Sequence, residues 1–157
     1  MDAESQAPTR PARIVSGGQT GVDRAALDVA LELGIPHGGW CPRGRLAEDG
    51  VIPARYQLRE TASSDYAVRT EQNVLDSDAT LIVSAGRPRG GTEFTLDLAR
   101  RHGKPHLVVD LDAPHGPAEI RRWLTDHGVK TLNVAGPRES QSPGIHRRVA
   151  ALLRRVL

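Results

Sequence analysis

Three segments of the chain combine glycines with polar or basic residues, a combination suited to binding an anionic ligand. The first covers residues 16–21 and reads SGGQTG. Glycine lets the backbone approach a ligand closely, and the N-terminus of a following helix offers unpaired N–H groups and a partial positive charge. A plain tight turn between a strand and a helix is the alternative, since the GGxxG spacing matches neither a dinucleotide-binding nor a P-loop motif. The candidate phosphate-binding residues here are Gly17, Gly18, Gln19, Thr20 and Gly21.

The second and third segments add arginines to the same pattern. Residues 87–92 read RPRGGT, and here Gly90, Gly91 and Thr92 are candidate anion contacts, with Thr92 also the expected N-cap of a helix. Residues 136–140 read GPRES, in which Arg138 could bind a phosphate or carboxylate with two donors and Ser140 could add a hydroxyl. The alternatives are an ordinary N-cap with solvated arginines and a surface loop with a local ion pair.

Residues 40–50, WCPRGRLAEDG, form a long stretch without periodicity, which is typical of a functional loop. Arg43 and Arg45 could cover an anion from above. Glu48 and Asp49 could act as an acid and a base, or form a solvated acidic turn. Cys41 is expected to be a small buried residue beside Trp40, because a reactive thiol requires a lowered pKa that nothing in the sequence shows.

Other chemistries find little support in the sequence. None of the six histidines has a partner at metal-ligand spacing, so no metal site is expected, and no serine lies in a GxSxG elbow. The arginines near the C-terminus lack interleaved aromatic residues, and the net charge is only +2. They are therefore interpreted as a solvated helix face rather than a nucleic-acid site.

Strand-like and helix-like segments alternate along the chain. Short apolar runs at 14–15, 79–83, 106–109 and 131–134 predict strands, and amphipathic patterns predict helices at 22–33, 66–76, 92–102, from 117, and 145–157. This alternation predicts an α/β fold: a Rossmann-like, doubly wound, mainly parallel sheet with helices on both faces. In the helix at 22–33, Arg24, Asp28 and Glu32 should share a solvent face while Leu31 faces the core. Ligands bind beyond the carboxyl ends of such strands, which is where the glycine segments fall.

Length and composition predict one globular domain. Of 157 residues, 38% are apolar and 25% charged, and a single cysteine excludes an intrachain disulfide. Residues 1–12 are expected to be a disordered tail and residues 13–157 a single domain. The sequence has neither an apolar run of membrane-spanning length nor a secretory signal, so a cytoplasmic location without membrane contact is expected.

Five strings together resemble a known family: SGGQTGVDRAALDVA at 16–30, GGWCPRGRLAEDGVIP at 38–53, YAVRTEQNVLDSDAT at 66–80, GGTEFT at 90–95 and LNVAGPRES at 132–140. They are similar to the bacterial molybdenum-cofactor carrier proteins of the SLOG superfamily. The resemblance implies a Rossmann-like homo-oligomer that binds an anionic, phosphate-bearing pterin or nucleotide for storage and protection, with molybdenum cofactor as the expected ligand. It also implies maturation or target proteins of molybdenum enzymes as partners, and no specific nucleic acid.

Two other functions stay open at this stage. The superfamily includes phosphoribohydrolases with a PGGxGTxxE signature, from which RGGTE at 89–93 departs because its acid directly follows the threonine. Cleavage of a nucleoside-phosphate N-glycosidic bond would use Glu93, or Glu48 and Asp49, as acid or base. No catalytic residue is assigned under the carrier hypothesis. A single-stranded nucleic-acid module, by analogy with a DNA-processing relative, is the weaker alternative.

Overall fold

A central parallel sheet organises the protein, for which a computed structural model describes residues 10–113 and 116–157. Five strands follow the order β2-β1-β9-β7-β8, and every neighbouring pair is parallel. The mainly parallel α/β fold predicted from the sequence is therefore confirmed. The strands of this sheet are β1 (Arg13–Val15), β2 (His37–Gly38), β7 (Ala79–Ser84), β8 (His106–Asp110) and β9 (Thr131–Ala135). The short outlying strands are β3 (Trp40–Cys41), β4 (Leu46–Ala47), β5 (Gly50–Val51) and β6 (Arg59–Glu60).

Five described helices cover the two faces of this sheet: α1 (Val22–Leu33), α2 (Tyr66–Leu75), α3 (Gly90–Arg101), α4 (Pro117–Asp126) and α5 (Ile145–Val156). The apolar faces of α1, α4 and α5 pack with Leu81, Val83 and Leu132 of the strands into the main core. Helices α2 and α3 pack on the opposite face around Val74 and Leu98. Because successive side chains of a strand point to opposite faces of the sheet, neighbouring residues of a strand contact different helix layers.

The helix boundaries follow local sequence signals. Asp65 caps α2 by accepting a hydrogen bond from the Ala67 N–H at 2.9 Å, as its position before the apolar run predicts. Gly34 ends α1 in the left-handed conformation, with φ 72°. The expectation that Thr92 caps α3 is wrong, because the helix begins two residues earlier with Arg89 at the N-cap position.

Residues 40–60, which include the segment predicted to be irregular, form a small folded unit. Its strand β3 pairs in parallel with β6, and β4 pairs antiparallel with β5. Cys41, Ile52 and Tyr56 of this unit pack with Leu27 of α1 into a separate apolar cluster. Cys41 is fully buried there, and burial raises the pKa of its thiol.

The exposure of two residues of helix α1 differs from the prediction. Arg24, predicted on a solvent face, is buried, because the segment at 40–50 lies over it. Leu31, predicted to face the core, is 43% exposed. Amphipathic spacing alone does not reveal a second packing partner on the polar side of a helix.

Residues 1–9, most of the expected disordered tail at 1–12, lie outside the described residues. No described helix has both the length and the hydropathy needed to cross a membrane.

Candidate functional site

The sheet order brings the three glycine segments together. They follow β1, β7 and β9, and β9 lies between the other two strands. The Val22 N–H donates to the Pro137 carbonyl at 3.2 Å, which joins the first segment to the third. A Cβ atom at Gly21, where φ is 80°, would collide with that same carbonyl. Gly21 is therefore needed for two loops to approach closely.

A cavity of about 500 Å³ opens at this edge of the sheet, between the start of α3, residues 135–141 and the first half of α2. This volume lies within the usual range for small-molecule sites. Six predicted site residues line it: Gln19, Gly90, Gly91, Thr92, Arg138 and Ser140. The lining residues that were not predicted include two charged and two aromatic side chains: Asp23, Arg69, Tyr66 and Phe94.

The N-terminus of α3 is open towards this cavity. Helix α3 has no side-chain cap, and the Thr92 and Glu93 N–H groups both donate to the Arg89 carbonyl. The N–H groups of Gly90 and Gly91 have no partner among residues 10–113 and 116–157. A Cβ atom at Gly91 would meet nothing within 4 Å. The two glycines thus leave a pair of backbone donors accessible to an anion.

In the first glycine segment, expected to be a phosphate cradle, two of the backbone donors are used by side chains of the loop and of α1. The Gln19 N–H donates to Asp23 Oδ2 at 3.2 Å, and the Thr20 N–H donates to Gln19 Oε1 at 3.0 Å. A Cβ atom at Gly17 would collide with the Arg69 guanidinium, and one at Gly18 would lie 2.6 Å from Leu58 Cδ1. Gly17 and Gly18 therefore allow the loop to pack closely against neighbouring side chains.

Asp23 and Arg69 form a buried pair in the cavity wall. Arg69 Nη1 lies 3.7 Å from Asp23 Oδ2, and the side chains are 13% and 6% exposed. Burial raises the pKa of Asp23 to about 6, against the opposing effect of the Arg69 and Arg24 charges and of N–H donors including that of Gln19. Arg69 Nε is buried and has no hydrogen-bond partner in the described part of the chain. Sequence reasoning missed the pair because Arg69 lies in α2, far along the chain from every glycine loop.

Glu48 and Asp49 connect neighbouring segments through hydrogen bonds and an ion pair. The Thr20 and Ser140 hydroxyls both donate to the Glu48 carboxylate, and the Glu48 N–H donates to Gln19 Oε1 at 2.9 Å. Although burial raises the pKa of Glu48, the hydrogen bonds from Ser140 and Thr20 outweigh it, so that the net pKa is lowered. Asp49 pairs with Arg24. Both carboxylates are thus held ionised in contacts between loops, which leaves them unsuited to acid–base exchange with a ligand in the cavity.

Residues 40–50, expected to cover the ligand, do not line this cavity. Arg43 is exposed. The Arg45 guanidinium donates to the carbonyls of Ile52, Pro53 and Tyr56 at 3.2, 2.9 and 2.8 Å, so its donors stabilise its own segment. The segment braces the first and third glycine loops from outside.

Two other acids have positions that the sequence did not indicate. Glu93, a candidate acid or base, is exposed on α3 and does not line the cavity. Glu139, which lies between the candidate residues Arg138 and Ser140, caps α5 by accepting hydrogen bonds from the Gly144 and His146 N–H groups at 2.6 and 3.1 Å. Arg138 Nε lies 3.6 Å from Glu48. Within the described residues, no cluster of three or more His, Cys, Asp or Glu could hold a metal ion.

A parallel sheet with a ligand-sized cavity beyond the carboxyl ends of its strands defines a Rossmann-like ligand-binding protein. The chain belongs to the circularly permuted YpsA SLOG family, whose model matches residues 14–157. It is similar to a solved structure described as a "Putative molybdenum carrier protein" from Syntrophus aciditrophicus. The two are 48% identical, with a TM-score of 0.92 over 94% of this chain and 95% of the other. No curated protein matches the sequence. The resemblance found in the sequence is confirmed.

Proposed function

We propose that this protein binds and carries a small phosphate-bearing ligand with a planar ring system, a pterin or a nucleotide, and that the ligand is molybdenum cofactor. The observation that supports this proposal is the composition of one cavity. Its wall combines the open N-terminus of α3 at Gly90 and Gly91 with the arginine Arg69 and the rings of Tyr66 and Phe94. Each of these features suits one part of such a ligand.

The phosphate fits the positively charged side of the cavity. Gly90 and Gly91 would donate backbone hydrogen bonds to it, and Arg138, whose side chain is half exposed, would add a charged contact from the loop after β9. The residues present thus fit the phosphate group of molybdenum cofactor. The molybdenum centre of that cofactor is cargo here, whose redox chemistry would serve the enzymes that receive it.

A planar ring fits the aromatic side of the cavity. The chain has only 2 Trp, 2 Tyr and 1 Phe, and Tyr66 and Phe94 of this small set line one cavity. Aromatic side chains bind flat heterocycles by stacking, which adds about 1 kcal/mol per contact beyond area burial. The name of the similar protein from Syntrophus aciditrophicus supports molybdenum cofactor over other flat phosphorylated ligands.

Storage without turnover is the mechanism we propose. The acids that a hydrolase would use lie elsewhere: Glu93 is exposed, and Glu48 and Asp49 are tied to other loops. The cavity would therefore hold its ligand intact until delivery. A cytoplasmic location, a homo-oligomeric state and delivery to proteins that mature or use the cofactor remain predictions.

The test is identification of the ligand and of its contacts. Protein purified without oxygen should release a phosphorylated pterin, identified by mass and absorption spectrum. In direct binding measurements with that compound, Tyr66→Leu and Phe94→Leu should each weaken affinity about fivefold, close to 1 kcal/mol. Tyr66→Phe keeps the ring and should retain affinity, which makes it the matched control. A released compound without a ring, or equal affinity for all variants, would contradict the proposal.

A further inference from the structure

The pair formed by Asp23 and Arg69 has a property that simple ligand storage does not require. A carboxylate and a guanidinium face the same cavity, 3.7 Å apart and almost fully removed from solvent. Arg69 Nε also lacks a hydrogen-bond partner among the described residues, so the guanidinium has an unused donor. A buried donor without a partner costs free energy, and a bound anion would supply the missing acceptor.

We propose that Arg69 is an anion-binding residue of this cavity and that anion binding to it is coupled to proton uptake by Asp23. This inference rests on the site of the proposed function and deepens it. The ligand group concerned is an oxyanion of charge −2, as in a phosphate monoester. Asp23 is then a competitor of the ligand for Arg69 whenever its carboxyl is ionised.

The charged groups around Asp23 support the coupling. Arg69 approaches it from α2, and the Arg24 charge acts on it from α1 itself. The Arg24 guanidinium is already hydrogen-bonded to Asp49, with Nη2 2.7 Å from Oδ1, so it is not available to bind the anion. Arg138 lines the same cavity from the loop after β9. Of these cations, Arg69 has both the direct contact with Asp23 and an unused donor.

The direction of the coupling follows from electrostatics. Burial raises the pKa of Asp23 to about 6, and the Arg69 charge opposes that rise. An anion at Arg69 neutralises this charge and adds a negative one nearby, so the pKa of Asp23 rises further in the complex. Affinity should then be highest when Asp23 is protonated and should fall as the pH increases through the interval between the two pKa values. The complex would release its ligand more readily at higher pH.

Sulfate is the appropriate probe, because it stays a dianion across the pH range of interest and does not itself titrate. Its affinity can be followed by the amide signals of Gly90 and Gly91 in NMR titrations between about pH 5 and pH 8. We expect wild-type affinity to fall about tenfold for each unit by which sulfate raises the pKa of Asp23. In Asp23→Asn, sulfate affinity should be independent of pH and higher than that of the wild type at the upper end of the range.

Asp97→Asn is the matched control, since Asp97 is an exposed carboxylate on α3 outside the cavity wall. It should keep the wild-type pH profile. Arg69→Gln should abolish sulfate binding, while Arg69→Lys should retain part of it through its charge. If Asp23→Asn does not fold, the titration of the Asp23 carboxyl carbon in the wild type, with and without sulfate, gives the two pKa values directly.

Two results would overturn the inference: sulfate affinity that does not depend on pH in the wild type, and an unchanged pKa of Asp23 with sulfate bound. Neither result bears on whether a phosphorylated ring compound binds. Conversely, if sulfate binding depends on pH but no phosphorylated pterin or nucleotide binds, the proposed function is wrong and the coupling still holds.

Discussion

Arg24 and Asp49 are joined by two parallel hydrogen bonds, with Arg24 Nη2 2.7 Å from Asp49 Oδ1. The Arg24 side chain is 11% exposed and the Asp49 side chain 48% exposed. The Arg24 Nε–H also donates to the Gly18 carbonyl at 3.0 Å. One arginine therefore fixes the first glycine loop and the segment at 40–50 to α1, which holds the outer wall of the site in place.

Replacing Asp49 with asparagine should destabilise the fold by about 1–2 kcal/mol, because it leaves a largely buried guanidinium without its counter-charge. This value is below the cost of breaking a fully buried pair, since Asp49 is half exposed. Urea unfolding of Asp49→Asn should show the loss, and Asp126→Asn, an exposed acid at the end of α4, should not.

The pH dependence of that difference follows from the lowered pKa of Asp49, whose largest cause is its hydrogen bond with Arg24. A carboxyl with a lower pKa in the folded state stabilises the protein above its unfolded pKa, about 3.9, and loses that effect as the pH falls through the folded value. The wild type and Asp49→Asn should therefore differ at neutral pH and converge in acid. A constant difference down to acid pH would show that packing, and not charge, causes it.

Gly91 and Gly18 should respond in opposite ways to substitution by alanine. Gly91 is helical and has open space around it, so Gly91→Ala should stabilise α3 by about 0.5–1 kcal/mol. The added methyl group should still reduce anion affinity, because it lies in the cavity wall. Gly18 has φ 80°, and its Cβ would lie 2.6 Å from Leu58, so Gly18→Ala should lower the melting temperature. Equal melting temperatures for the two variants would contradict this assignment.

The thiol of Cys41 should be inert in the folded protein. It is fully buried beside Ile52 and Tyr56, and burial raises its pKa, so little thiolate is present near neutral pH. Alkylation should become fast only in denaturant. Cys41→Ser should reduce stability, since it places a hydroxyl in an apolar cluster, and should leave ligand affinity unchanged. Rapid modification of the native thiol would contradict its burial.

Local sequence signals predicted the elements of this fold well. The helix from Val22 to Leu33 and its glycine stop, the Asp65 cap and the buried strand from Ala79 depend on neighbouring residues, and all appear as predicted. The edge of the sheet where the cavity lies also followed from glycine loops after strands. These features depend on short-range chemistry and on general properties of parallel sheets.

The composition of the cavity could not be predicted in the same way, because it depends on the position of α2. Tyr66 and Arg69 line the cavity only because α2 packs beside α3 on the same face of the sheet. The roles of Glu48 and Arg45 depend on contacts with residues distant in sequence, or on backbone carbonyls that no side-chain pattern reveals. A sequence pattern therefore does not show whether the donors of an arginine beside a glycine are used within the fold, as those of Arg45 are.

Incubation with AMP should leave the nucleotide intact, because the cavity lacks the groups for N-glycosidic hydrolysis. Glycoside hydrolysis commonly uses two carboxyl groups on opposite sides of the scissile bond. Asp23 is the one carboxylate in the described cavity wall, and Arg69 lies against it. Chromatography after long incubation should detect no free adenine above a blank without protein. Sustained adenine release that disappears in a folded Glu93→Gln or Asp23→Asn variant would show that the protein is a hydrolase and not a carrier.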